Sequence, residues 1–251
     1  MGQLWVVGLG PGTPALLTGE ARMALERAAV IVGYRAYVDQ VRPWRPEALY
    51  RAWPIGAERA RAREAVELAA TGQPVALVSS GDAGVYGMAG LALEEWERLP
   101  PPRRPALAVL PGVTALLAAA ALLGAPLGTD FAAVSLSDLL VPWPTIARRL
   151  EAAAAADFVL ALYNPASAAR SWQLSAACAI LLRHRPATTP VGLVRAAYRE
   201  GQHVAIVALG ELAAQPVDML TILIVGNRAT RRCGPWLLTP RGYQRDTPAG
   251  D

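Results

Sequence analysis

Apolar residues run through this chain in two rhythms. Short uninterrupted apolar runs at residues 4–7, 30–32, 75–79 and 107–110 end in glycine, serine or proline and read as buried strands. Between them, longer segments with apolar residues at helical spacing predict helices over 14–28, 58–70, 85–98 and 113–123, with Pro14 in a first turn and Gly72 just past an end. The proline-rich stretch 100–105 reads as a stiff surface loop. Beyond residue 123 the rhythm changes: strands are predicted at 132–136, 158–162, 191–194, 204–209 and 220–225, with only two strong helices, 144–155 and 172–183. That spacing predicts a mixed sheet with an antiparallel portion. The fold class is therefore α/β: two α/β domains, 1–112 and 113–243, meeting near residues 111–128 with an interdomain cleft as the expected ligand site. A tail, 244–251, is expected to be disordered. No internal repeat is visible.

Composition narrows the classes. With 251 residues, 53% apolar and 18% charged, the chain is long enough for a sizeable core and is not a disordered protein. All 24 basic residues are arginine, and the net charge is only +4. Guanidinium forks suit a ligand with several carboxylates or phosphates. Arg59, Arg61 and Arg63, interleaved with Glu58, Glu64 and Glu67, read as a solvated helix face. No basic stripe alternates with aromatics, so no nucleic acid partner is expected. Cys178 and Cys233 are far apart, His184 and His203 are isolated, and no metal site is expected. Residues 106–131 carry only Asp130 as a charge, but Pro111-Gly112 and Gly124-Ala125-Pro126 cut them. About ten residues of helix remain, roughly half of a membrane span. With no basic leader before the first strand, a cytoplasmic protein without membrane contact is expected.

Four loops that each follow a predicted strand carry the candidate chemistry. The first, Gly8-Leu9-Gly10-Pro11-Gly12, starts like a dinucleotide fingerprint but has Thr13 where the third glycine would stand. Pro11 also lacks the N–H a pyrophosphate would seek. The others are Ser79-Ser80-Gly81-Asp82-Ala83-Gly84-Val85-Tyr86-Gly87, Pro111-Gly112-Val113-Thr114-Ala115 and Leu162-Tyr163-Asn164-Pro165. Any one of them could be only a tight turn. Taken together, and with polar groups at two tips, they point to a ligand site.

In this order the segments resemble the class III, tetrapyrrole-methylase family of S-adenosylmethionine-dependent methyltransferases, over residues 5–243. Further stretches are similar to one branch that methylates C17 of a precorrin in cobalamin synthesis while contracting the ring. These are Val32-Gly33-Tyr34 with Tyr37 and Asp39, Ser135-Leu136-Ser137-Asp138-Leu139-Leu140, Ala161-Leu162-Tyr163-Asn164-Pro165, Val217-Asp218-Met219-Leu220-Thr221 and Thr239-Pro240-Arg241-Gly242-Tyr243. Two departures stand out. Ala83 replaces a usual proline, and Arg195-Ala196-Ala197-Tyr198-Arg199 replaces a stretch that usually has asparagine and glycine.

The resemblance implies the tetrapyrrole methylase fold, S-adenosyl-L-methionine as methyl donor, a tetrapyrrole (precorrin) substrate and a homodimer. It assigns donor binding to Pro11, Gly81, Asp82, Val85, Thr114, Ala115, Tyr163 and Ala197. A sulfonium is matched by carbonyl oxygens and a carboxylate, for which Asp82 is the candidate. An alternative role for Asp82 is to cap the following helix. Asp82, Ser137, Asp138 and Tyr86 are the candidate catalytic groups for proton movement in ring contraction. Arg35, Arg195, Arg199, Arg228 and Arg241 are candidates for substrate carboxylates, and Trp143 and Tyr86 for packing on the macrocycle. Three other readings compete: a cobalt-bound precorrin as substrate, a nicotinamide-dependent dehydrogenase, and a non-catalytic tetrapyrrole carrier. The dehydrogenase lacks its acidic residue at the end of the second strand, where Gly33-Tyr34-Arg35 stands.

Overall fold

The first half of the chain alternates strand and helix as the apolar rhythm predicts, in a computed structural model that describes residues 2–167 and 170–243. The tail expected to be disordered lies outside the described residues. The chain divides into two units, Met1–Ala115 and Leu116–Asp251.

In the first unit the elements are β1 (Gln3–Gly8), α1 (Gly19–Arg27), β2 (Val30–Tyr34), α2 (Arg35–Val41), β3 (Leu49–Trp53), α3 (Glu58–Ala70), β4 (Pro74–Ser79), α4 (Ala89–Arg98) and β5 (Ala106–Leu110). The strands form one parallel sheet in the order β3-β2-β4-β1-β5, with Val7 paired to Val78 on one side and Leu110 on the other. Alternation along each strand builds two apolar layers. Leu4, Val6, Val75 and Leu77 pack with Ala62, Ala65, Val66 and Ala69 of α3 and Ala89 and Ala92 of α4. Val7, Ile31, Ala76 and Val78 pack on the opposite face with Ala21, Ala24 and Leu25 of α1. Because every strand runs the same way, the loops after β4, β1 and β5 emerge side by side on one edge.

Three expectations for this unit need correction. The helix expected over 14–28 is a 3-10 turn, Pro14–Leu16, followed by α1, whose N-cap Thr18 accepts from the Ala21 N–H at 3.2 Å. The helix expected from residue 85 starts only at Ala89, because Tyr86 holds a left-handed backbone (φ 52°) that helix cannot propagate through. Arg61 does not lie on a solvated face; it is 4% exposed, on the buried side of α3 with Ala62, Ala65 and Ala69, and its Nη2 faces the Met88 sulfur. The sequence reading also missed β3, a mostly exposed edge strand without an apolar run, and α2.

Glu95 of α4 is buried among guanidinium groups, with Arg98 at 2.8 Å, Arg59 at 3.0 Å and Arg63 at 3.2 Å. Burial acts to raise its pKa, but the arginines outweigh burial and hold the carboxyl below its usual range. A depressed folded-state value means that this stabilisation is present above the ordinary glutamate pKa of about 4.3 and is lost as pH falls through the folded value. E95Q is expected to cost about 1–2 kcal/mol at pH 7, the scale of hydrogen bonds to charged groups. The gap should close in acid, and urea unfolding at pH 7 and pH 3 checks both statements. A gap that is the same at both pH values would refute the linkage.

The second unit contains α5 (Ala115–Leu123, beginning at the boundary), β6 (Gly124–Ala125), β7 (Phe131–Ser135), α6 (Trp143–Ala155), β8 (Val159–Tyr163), α7 (Gln173–Leu181), β9 (Pro190–Arg195), β10 (His203–Ala208), β11 (Thr221–Val225), β12 (Arg231–Cys233) and β13 (Trp236–Leu238). Its main sheet, β10-β9-β11-β8-β7, is antiparallel except for the β7–β8 pair, as the crowded strands predict. Leu136, Leu150, Leu160, Leu162, Leu181 and Leu223 are at the centre of its core. A small second sheet, β12-β13-β6, has no apolar pattern to announce it.

Candidate active site

The loops after β1, β4 and β5 meet main chain to main chain. Gly10 and Gly81 exchange both hydrogen bonds: Gly10 N–H donates to Gly81 O at 3.0 Å and Gly81 N–H to Gly10 O at 2.8 Å. Both have left-handed backbones, φ 71° and 63°, which glycine adopts without steric cost. Gly112 comes so close that a Cβ on it would stand 2.1 Å from Gly81 O and 2.7 Å from the Gly8 carbonyl.

Asp82 fastens this arrangement with its carboxylate. Oδ1 accepts from Gly84 N–H at 2.7 Å and Oδ2 from Gly112 N–H at 3.0 Å. One carboxylate thus closes its own loop and ties it to the loop after β5. It does not cap α4, which starts seven residues further on. Across residues 8–13, 80–88 and 111–114 Asp82 is the only ionisable acid or base apart from the Tyr86 phenol, and no arginine is present. Carbonyls and one anion suit a cationic ligand; a phosphate would find neither a basic side chain nor a glycine-rich helix start.

Seven of the eleven residues assigned above to donor binding and catalysis lie on this edge or at its end. Pro11 and Gly81 are buried, Thr114 is buried, and Ala115 is half-buried at the start of α5. Val85 and Tyr86 are exposed at the loop tip, Tyr86 to 56%. Asp82 completes the set.

The others are in the second unit. The Tyr163 hydroxyl, at the end of β8, accepts from Leu116 N–H at 3.0 Å, fixing the first turn of α5. Ser137 follows Ser135, whose hydroxyl accepts from both Ser137 N–H at 3.2 Å and the Asn164 amide at 2.9 Å. Asp138 receives a hydrogen bond from the buried Gln173 side chain at 3.0 Å. Ala197 sits between Ala196 and Tyr198, both left-handed (φ 49° and 58°), in the turn between β9 and β10. Neither residue is glycine, so the turn holds its left-handed positions at the cost of backbone strain.

Two buried polar side chains escaped the sequence reading. Arg170, 5% exposed, donates to Asn164 O at 3.1 Å and to Leu136 O at 3.5 Å and approaches the Met219 sulfur at 3.2 Å, joining three loops of the second unit. Gln173 orients Asp138. Neither has a local signal, because both act through burial and long-range contacts. Trp143 packs on the core and stacks edge-on against Trp172, centroids 4.9 Å apart. Arg195 is paired with Asp218 at 2.8 Å. Burial raises Asp218, but Thr221 and Arg195 more than compensate and hold it low. Burial pushes the Cys178 thiol up to about 11, so it stays protonated and inert. Among the described residues no group of three or more His, Cys, Asp and Glu could hold a metal ion, and no helix is long and apolar enough to cross a membrane.

The fold is that of an α/β protein, and its loop edge has a main-chain floor and a single carboxylate. Residues 3–213 match the Tetrapyrrole (Corrin/Porphyrin) Methylases. The probable cobalt-factor III C(17)-methyltransferase of Salmonella typhimurium is 45% identical over 242 residues, covering 96% of this chain and 99% of the relative. The precorrin-3B C(17)-methyltransferase of a Sinorhizobium species is 45% identical over 231 residues, 92% of this chain and 91% of its own. The crystal structure of the methyltransferase CobJ superposes with a TM-score of 0.90 at 41% identity, over 96% of this chain and 100% of that one. Uroporphyrin-III C-methyltransferase from Thermus thermophilus, in complex with S-adenosylhomocysteine, gives 0.70 at 26% identity over 90% and 97%. The chain belongs to the tetrapyrrole methylase family and has its fold.

Proposed function

We propose that this chain is an S-adenosyl-L-methionine-dependent methyltransferase that methylates C17 of precorrin-3B and couples the step to ring contraction, giving precorrin-4 on the route to cobalamin. The observation that carries the reading is the nearly full-length similarity to two relatives named for methylation at C17. The bound S-adenosylhomocysteine of the Thermus structure supports the donor.

The donor, when bound, supplies a methyl group activated by a sulfonium charge. Pro11, Gly81, Asp82, Val85, Thr114 and Ala115 hold it through groups already fixed by strand ends, which keeps the entropy cost of ordering low. Tyr163 and Ala197 are assigned to it by the family resemblance. Asp82 spends one lone pair of each oxygen on the loops, and its negative charge still stabilises a cation nearby. The chain's main task is alignment of methyl and acceptor carbon at about 3–3.5 Å with water excluded. Asp138, oriented by Gln173, and Ser137 are the candidate groups for proton movement in ring contraction, with Tyr86 and Asp82 beside the donor. A cytoplasmic homodimer acting on a tetrapyrrole, with no nucleic acid or membrane partner, completes the proposal.

A second reading, a cobalt-bound precorrin as substrate, is favoured by the name of the Salmonella relative. Incubating the purified chain and S-adenosyl-L-methionine with cobalt-free and cobalt-bound substrate separates the two. The expected result is a product one methyl heavier from the cobalt-free substrate, read by mass spectrometry. Product only from the cobalt-bound substrate selects the second reading, and product from neither refutes both.

A further inference from the structure

We propose that Arg61 is an anion-receiving residue that takes a carboxylate of a bound ligand in the first unit. It rests on the methyltransferase reading, which names ligands that carry carboxylates. Arg61 is 4% exposed, and among the described residues its Nε and Nη1 have no hydrogen-bond partner. Nη2 faces the Met88 sulfur at 3.1 Å, a weak acceptor. Glu58, within ion-pair reach, stands 3.7 Å from Nη2 and is itself exposed. Burial pushes the guanidinium's pKa down, opposed by Glu58 and Tyr37, yet an arginine stays charged in a protein.

A buried cation with two donor nitrogens unsatisfied is expensive to keep. An apolar side chain at this buried position of α3 would fill the space beside Met88 without that cost. The location explains what the cost is for. α3 follows β3 directly, so its first turns stand at the sheet edge where the three loops emerge, and Met88 comes immediately after the Asp82 loop. On α2, Gln40 Nε2 is a second buried donor without a partner among the described residues. A neutral acceptor would satisfy the N–H groups but not the charge; a carboxylate satisfies both. Two sources offer one: the amino-acid end of the donor, and the acetate and propionate groups of the macrocycle.

The test uses R61M and R61K in the full chain. Calorimetry gives the Kd for S-adenosylhomocysteine, product formation gives KM for precorrin-3B, and scanning calorimetry gives Tm. R61M is expected to melt at or above the wild-type temperature while losing about tenfold or more in affinity for one ligand, with R61K recovering part of it. A weakened Kd identifies the donor carboxylate; a raised KM at unchanged Kd identifies the macrocycle. Both constants within twofold of wild type overturn the assignment alone. So does an R61M chain that melts well below wild type and loses both ligands alike, which marks a packing residue. A wild-type chain that binds neither ligand overturns this assignment and the methyltransferase reading together.

Discussion

Replacing Gly112 by alanine is expected to give a large loss of stability in the first unit. The new Cβ would stand 2.1 Å from Gly81 O and 2.7 Å from the Gly8 carbonyl carbon. Both neighbours are main chain anchored on strand ends, so neither can swing aside as a side chain would. Relief requires the loop after β5 to lift off the other two, breaking the Gly112 N–H bond to Asp82. Overpacking of this kind costs about 3 kcal/mol or more when backbone must move. For a chain of this length that is a fall in melting temperature of roughly 6–12 °C. Binding of S-adenosylhomocysteine should fall with it, by more than about tenfold. Gly84, where an added Cβ meets only the Asp82 side chain at 3.2 Å, is the internal control. A G112A chain that melts within about 2 °C of wild type would show that the loops have more room than their spacing gives them.

Asp82 carries the second large effect. D82A removes both acceptors, from Gly84 N–H and from Gly112 N–H, and removes the only carboxylate on the loop edge. Two charge-assisted hydrogen bonds at a half-buried site are together worth about 2–4 kcal/mol. Affinity for S-adenosylhomocysteine, which lacks the sulfonium charge, reads the loss of loop geometry. Affinity for S-adenosyl-L-methionine adds the loss of charge complementarity. The expected outcome is a drop of at least about tenfold for the first and a larger one for the second. D82N keeps one acceptor oxygen and should fall between alanine and wild type for the uncharged ligand. Equal losses for both ligands would leave Asp82 a structural tie with no electrostatic part in donor binding.

Much of this was legible in the sequence because two local signals agreed with the fold. Apolar runs ended by glycine, serine or proline marked β1, β2, β4 and β5, and the helix expected over 58–70 coincides with α3. The crowding of strands after residue 123 announced the antiparallel pairs. What escaped had either no pattern or the wrong weight given to one. β3 is an edge strand, so burial never selected an apolar run in Leu-Tyr-Arg-Ala-Trp. Arg61 did carry a signal. It lies four residues before Ala65 and eight before Ala69, on the buried stripe of α3, but its charge and its glutamate neighbours argued for solvent. Asp82 was recognisable as the carboxylate of its loop, yet its bond to Gly112 spans thirty residues and only the folded sheet brings them together. Arg170 and Gln173 escaped for the same reason.

A floor built from Gly8, Gly10, Gly81 and Gly112 has no side chain to exchange. Selection can shut it by adding an atom but cannot retune it by swapping one. Preference for one acceptor over another must therefore be set by residues that do carry side chains, such as those at the exposed tip from Gly84 to Tyr86. The floor admits no change of side chain while the tip does, so exchanging tips between relatives should move substrate choice and, through Val85, the donor's hold with it.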